Sequence, residues 1–198
     1  MLHNAAAIVE TAVIGPNALI QTALAMCGAV GDQCARQILA TAGEQMVLDA
    51  PPAHMVAEVR FQRLVDALVA ALGPTKAASI LHDSGRYTAG YVLENRLPKP
   101  IQRLLIALSP RLGMPILLSA VRKNAWTFVG GGEFAYCCSP TETTLTVYDA
   151  AGHHDVVGAY YHGAFEYLLQ QLISPRLTLT AHSMTHPKHH FRYDVHRT

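Results

Sequence analysis

The hydrophobic period of this chain changes once, near residue 124, and that change constrains the fold more than any other feature. Before it, apolar residues recur every three or four positions; after it, they alternate. The clearest early stretch is 54–72, where Met55, Val56, Val59, Leu64, Val65, Leu68, Val69 and Leu72 share a helical face until Gly73-Pro74 stops it. Further helices are expected over 16–26 and 32–42, capped by Gly28 and Gly43, and over 75–94, 101–108 and 112–123. Beyond the switch, Trp126 and Phe128 alternate with Thr127 and Val129 as a strand. Gly130-Gly131-Gly132 reads as a bulge or sharp turn, and Phe134, Tyr136 and Cys138 share one strand face. Residues 143–148 return as a strand through Leu145 and Val147. A helix over 158–173 follows, with Tyr161, Ala164, Phe165, Leu168, Leu169 and Leu172 facing the core. Residues 176–182 and 189–195 close the chain as a hairpin. The predicted class is α+β: a helical N-terminal part packed on a small antiparallel sheet with one crossing helix. All of 1–198 reads as one domain, 1–123 mainly helical and 124–198 containing the sheet.

Composition limits the function. Hydrophobic residues are 51% and charged residues 15%, which excludes a disordered chain and leaves apolar surface for a pocket or a homodimer interface. Lys+Arg number 15 against Asp+Glu 14, so the basic excess of a nucleic-acid binder is missing. No secretory signal is visible. The apolar stretch 101–121 carries Arg103, Arg111, Pro110 and Pro115 and is not read as a membrane span. The four cysteines form no CxxC pair, and the expectation is reduced, mostly buried thiols in a cytoplasmic protein.

Five segments in order carry a family resemblance. They are Ile14-Gly15-Pro16-Asn17-Ala18; Ala89-Gly90-Tyr91-Val92-Leu93 with Asn95-Arg96-Leu97-Pro98; Ala125-Trp126-Thr127-Phe128-Val129-Gly130; Ala164-Phe165-Glu166-Tyr167-Leu168; and Phe191-Arg192-Tyr193-Asp194-Val195. Together they resemble the bacteriochlorophyll 4-vinyl reductase family, also called divinyl protochlorophyllide 8-vinyl reductase. The resemblance implies a 4-vinyl reductase domain, an often dimeric α+β fold shared with ligand-sensing and vesicle-tethering proteins. It also implies a place in bacteriochlorophyll biosynthesis, with a magnesium tetrapyrrole intermediate as ligand and pathway enzymes as partners. Many relatives carry three cysteines in the C-terminal part, zinc-binding in some sensors. The matching positions here are Gly158, Ser183 and Phe191, none of which supplies a thiolate, so the family's zinc site is not carried over.

The residues name no reductant. The single glycine run lacks GxGxxG spacing and a following helix, and neither a P-loop nor an iron–sulfur cysteine pattern occurs. No built-in cofactor is evident, and an external reductant would be needed. The function expected is therefore binding of the tetrapyrrole as carrier or accessory in 8-vinyl reduction. The rival readings are the reductase itself and a ligand-sensing or scaffold domain acting by dimerisation. A flat macrocycle needs an aromatic-lined cleft, for which Trp126, Phe128, Phe134 and Tyr160 are the candidates. His162 and Glu166, one helical turn apart, could form a ligand pair or a proton-transfer couple, though a solvated helix stripe is the preferred reading. Eleven histidines occur, eight of them from His153 to His196. If Ala181 pairs near Phe191, His182 falls opposite His190 with Cβ atoms about 5 Å apart, and His186 sits at the turn. These three are the metal candidates, weighed against a plain solvated hairpin face, which is again preferred. Arg96, Lys99, Arg103 and Arg111 surround the proline-rich joint and suit a pigment propionate or peripheral contact with a photosynthetic membrane, against the safer reading of a solvated helix end.

Overall fold

A computed structural model describes residues 12–139, 142–148, 154–184 and 190–197. Its helices are α1 (Asn17–Val30), α2 (Asp32–Thr41), α3 (Glu58–Leu72), α4 (Pro74–Asn95), α5 (Lys99–Ala107), α6 (Pro110–Lys123) and α7 (Val157–Leu172). Two short strands, β1 (Val13–Ile14) and β2 (Val56–Ala57), pair antiparallel. The main sheet comprises β3 (Glu133–Cys138), β4 (Thr143–Tyr148), β5 (Leu177–Met184) and β6 (His190–Arg197), all antiparallel, in the order β3-β4-β6-β5. The expected α+β class is the one observed, with α7 as the crossing helix between β4 and β5.

Most element boundaries follow the sequence pattern, and the exceptions have local causes. The first helix runs through Gly28 and stops at Gly31. The third begins at Glu58, because Val56 and Ala57 pair with β1 and the Glu58 N–H donates to Ala12 O at 2.9 Å. The apolar stretch 101–121, not read as a membrane span, is divided into α5 and α6, and among the described residues no helix is long and apolar enough to cross a membrane.

Trp126 corrects the sequence reading outright. Residues Ala125–Thr127 form a 3-10 turn, not a strand: the N–H groups of Phe128 and Val129 both donate to Ala125 O at 2.9 Å. A four-residue alternation is too short to outweigh such turn bonds. Trp126 is consequently 58% exposed, while Val129 is buried. The thiols differ from expectation as well: Cys27 and Cys34 are half-buried and Cys137 and Cys138 exposed, since β3 rises out of the core toward its end.

The core lies where α4 crosses α7, the most extensive helix contact of the fold. Two glycines permit it. A Cβ on Gly85 would run into the backbone of Tyr160 and Ala164, and a Cβ on Gly163 into the His82 carbonyl. The other face of α7 lies on the sheet, where Phe128, Phe134, Phe165, Tyr161 and Tyr193 pack ring against ring at centroid distances of 5.3–6.4 Å. Three buried hydroxyls find partners: Tyr193 OH donates to Gly158 O at 2.7 Å, and Thr22 Oγ1 and Ser84 Oγ lie 2.7 Å apart.

Candidate functional site

The tight α4–α7 crossing brings three chemically active side chains together. His162 and Glu166 share a face of α7, as their spacing requires, and His82 reaches them from α4. Glu166 is the hub. Its Oε2 lies 3.9 Å from His82 Nε2 and its Oε1 4.0 Å from His162 Nε2, while the two imidazoles meet edge-on with centroids 5.2 Å apart. One ligand atom from each lies within 4.8 Å of the others. His162 Nε2 is buried and has no hydrogen-bond partner among the described residues, an orphaned lone pair inside the seam. Burial pushes the His162 pKa down, the Glu166 charge draws it up, nearby His82 lowers it, and hydrogen bonding to the Leu179 backbone raises it; the net direction is down. The ring is thereby held neutral at neutral pH, with Nε2 available as an acceptor or a ligand. Two imidazoles and a carboxylate suit a first-row divalent ion or a proton relay.

An open groove of about 390 Å³ lies along the same two helices. Tyr87, Gly90 and Tyr91 of α4 and Tyr167 of α7 line it, with Arg86 and Glu94 as its charged groups. Arg86 lies over the Tyr167 ring at 5.3 Å. His82, Arg86 and Gly90 are spaced by four along α4, so the cluster and the groove follow one helix stripe.

The residues singled out by sequence are dispersed. Phe134 is buried in the ring stack and Phe128 half-buried beside it, so α7 already covers the sheet face expected to receive a macrocycle. Tyr160 is buried as well; its OH donates to Thr88 Oγ1 at 3.2 Å, and burial pushes its pKa up to about 12. Trp126, two residues before Phe128, is exposed rather than packed into the stack. His162 and Glu166 are brought together, and the half-buried seam replaces the solvated stripe read from spacing alone.

The hairpin histidines are arranged differently from the expected register. Ala181 pairs with Tyr193 and His182 with Arg192, whereas His190 pairs with Met184. The slip is two residues, so each side chain keeps its face and only the opposed partners change. Leu177 and Leu179 are buried as predicted, but Ala181 is exposed. His182 Nε2 instead lies 3.2 Å from Asp194 Oδ2, and Asp194 also accepts from Arg192 Nε at 3.1 Å and Thr144 Oγ1 at 3.2 Å. His186 and His153 lie outside the described residues. The three positions matched to the relatives' cysteines do converge. Phe191 pairs with Ser183, and its ring packs against Gly158, so a phenyl group fills the place.

Sequence reasoning missed His82. Its one signal was indirect: Gly85 and Gly90 inside a helix mark a close approach, and His82 is one turn from Gly85.

A helical part on a four-stranded antiparallel sheet with one crossing helix is the H-NOX-like architecture. A structure from work on heme distortion in the H-NOX family superposes with a TM-score of 0.64, covering 93% of this chain and 95% of that one at 7% identity. An Fe(II) unliganded H-NOX protein from K. algicida superposes at 0.62, covering 93% and 97%, at 10% identity. Such identities establish the fold alone. By sequence, the chain is 31% identical over 170 residues to the bacteriochlorophyll synthase 23 kDa chain of Cereibacter sphaeroides, covering 84% of this chain and 81% of that protein. The protein of the same name from Rhodobacter capsulatus is also 31% identical over 170 residues, covering 84% and 78%. The chain belongs to the bacteriochlorophyll synthase 23 kDa chain family. That name carries the pathway that the family resemblance implies and says nothing of vinyl reduction; no family model matches the chain.

Proposed function

We propose that this protein acts in bacteriochlorophyll biosynthesis by binding a magnesium tetrapyrrole intermediate, as a carrier or accessory of 8-vinyl reduction. The observation that carries the reading is the 170-residue match to two bacteriochlorophyll synthase 23 kDa chains. The fold it shares with proteins studied for heme distortion supports the same ligand class. The tyrosine-lined groove suits the flat face of a macrocycle, and Arg86 suits its propionate. His82, one turn along the stripe, offers an imidazole for the central magnesium, with Glu166 and His162 beside it. The glycine run favours a carrier over a nucleotide-holding reductase. Gly130 adopts φ 57° against the Glu58 carboxylate and the Gly131 N–H donates to Glu58 Oε2 at 3.0 Å, so the turn is committed to a side chain of this protein. In this reading the reductant is external, and the intermediate passes to a pathway enzyme.

The test is an absorption titration of the purified protein with divinyl protochlorophyllide, repeated with NADPH and with reduced ferredoxin. Saturable binding with a shifted spectrum and an unchanged vinyl group supports the carrier, and Arg86→Ala and Tyr167→Ala should each weaken it about tenfold. Conversion to the 8-ethyl product would make the protein the reductase. Absence of binding would sink the proposal.

A further inference from the structure

The joint between α4 and β3 is unlike the rest of the molecule. From Glu94 to Glu133 the sequence contains no intervening Asp or Glu, while Arg96, Lys99, Arg103, Arg111, Arg122 and Lys123 are all exposed. The whole chain has a formal net charge of only +1, so this bias is local and the remainder is acidic. Among the described residues none of these cations makes an ion pair, although Arg122 lies over the Tyr136 ring at 5.5 Å.

Large apolar side chains are exposed on the same segment. On α5, Ile101 is 45%, Leu104 57% and Ile106 60% exposed; on α6, Leu112 is 59% and Ile116 51%; Trp126 follows at 58%. Of the nine residues of α5, only Leu105 is buried. Ile116 and Lys123 also line a shallow trough of about 470 Å³ on α6. Water is a poor solvent for this surface, and its cations choose among the surfaces that could cover it. A second copy in a two-fold dimer would set the same cations against themselves. An anionic bilayer satisfies both halves of the pattern: apolar side chains enter the acyl boundary, and lysines and arginines remain among the headgroups.

We infer that α5, the outer face of α6 and Trp126 form a docking surface for an anionic lipid bilayer, on which the protein lies without crossing it. Tryptophan favours the interface, and Trp126 is the only one in the chain, so its fluorescence reports the contact directly.

The experiment uses the full chain with phosphatidylcholine vesicles, with and without phosphatidylglycerol, and no pigment. Cosedimentation with the anionic vesicles and a blue shift of Trp126 emission are expected, both reversed by high salt. Arg103→Gln with Arg111→Gln should weaken binding about thirtyfold at low salt. Leu104→Glu and Ile106→Glu, at exposed sites, should abolish it with circular dichroism unchanged. Failure to bind the anionic vesicles, or equal binding to neutral ones, would overturn the inference. So would sedimentation showing a dimer that Leu104→Glu converts to monomer, which would assign the surface to a second copy.

Discussion

The α4–α7 crossing and the α5–α6 joint are both helix pairs rich in apolar residues, yet they are built on opposite terms. At the crossing, glycines draw two backbones together, rings interlock, and polar groups are paired or held in a defined cluster. At the joint, one residue of α5 enters the core, and the Gln102 amide, which donates to Leu97 O at 2.8 Å, helps hold the helix. Similar hydrophobicity therefore serves folding in one place and an outside surface in the other. The difference lies in side-chain shape and backbone separation rather than in composition.

Substitutions can break that comparison. Phe165→Ala, in the middle of the ring stack, should cost about 3–5 kcal/mol in chemical denaturation. Gly163→Val forces a branched side chain onto the His82 carbonyl and should cost about 1–3 kcal/mol, with the His82–Glu166 proximity lost. Acidification tests the cluster. Because the folded pKa of His162 lies below its unfolded value of about 6.5, the unfolded chain binds the proton first as pH falls. Stability should then be full above that value and decline as pH drops from 6.5 toward the folded pKa, and His162→Gln should flatten the decline in a series of pH-dependent melts. Leu104→Ser, at the joint, should change stability by less than about 0.5 kcal/mol. A large loss there would mean that α5 is held by the core after all.

How much of this could be read from the residues depended on how far apart the determining contacts lie in the chain. Helix 158–173 and strand 143–148 were legible because their apolar period holds through the element: Leu145, Val147, Tyr161, Phe165, Leu169 and Leu172 are buried as it predicts, while Ala164 and Leu168 are half-buried and Tyr160 and Gly163 are buried against α4. Trp126 was misread because four alternating residues fit a turn as well as a strand. The hairpin faces were right and the cross-strand partners wrong, since parity is encoded in the alternation but a two-residue slip leaves it untouched. His162 and Glu166 could be paired by spacing. Nothing local linked them to His82, some eighty positions earlier; that contact exists because two small residues in separate helices let the backbones meet.

The sheet order has a kinetic consequence. The β3–β4 and β5–β6 hairpins each form from neighbouring segments, but they join only along β4 and β6, where the nearest paired residues, Tyr148 and His190, are roughly forty positions apart. With α7 inside that interval, the β4–β6 pairing carries the largest loop-closure cost in the main sheet and is expected to form after the two hairpins. A chain caught with that central seam open would present two unpaired strand edges, so refolding yield should fall with protein concentration, which light scattering during refolding would check.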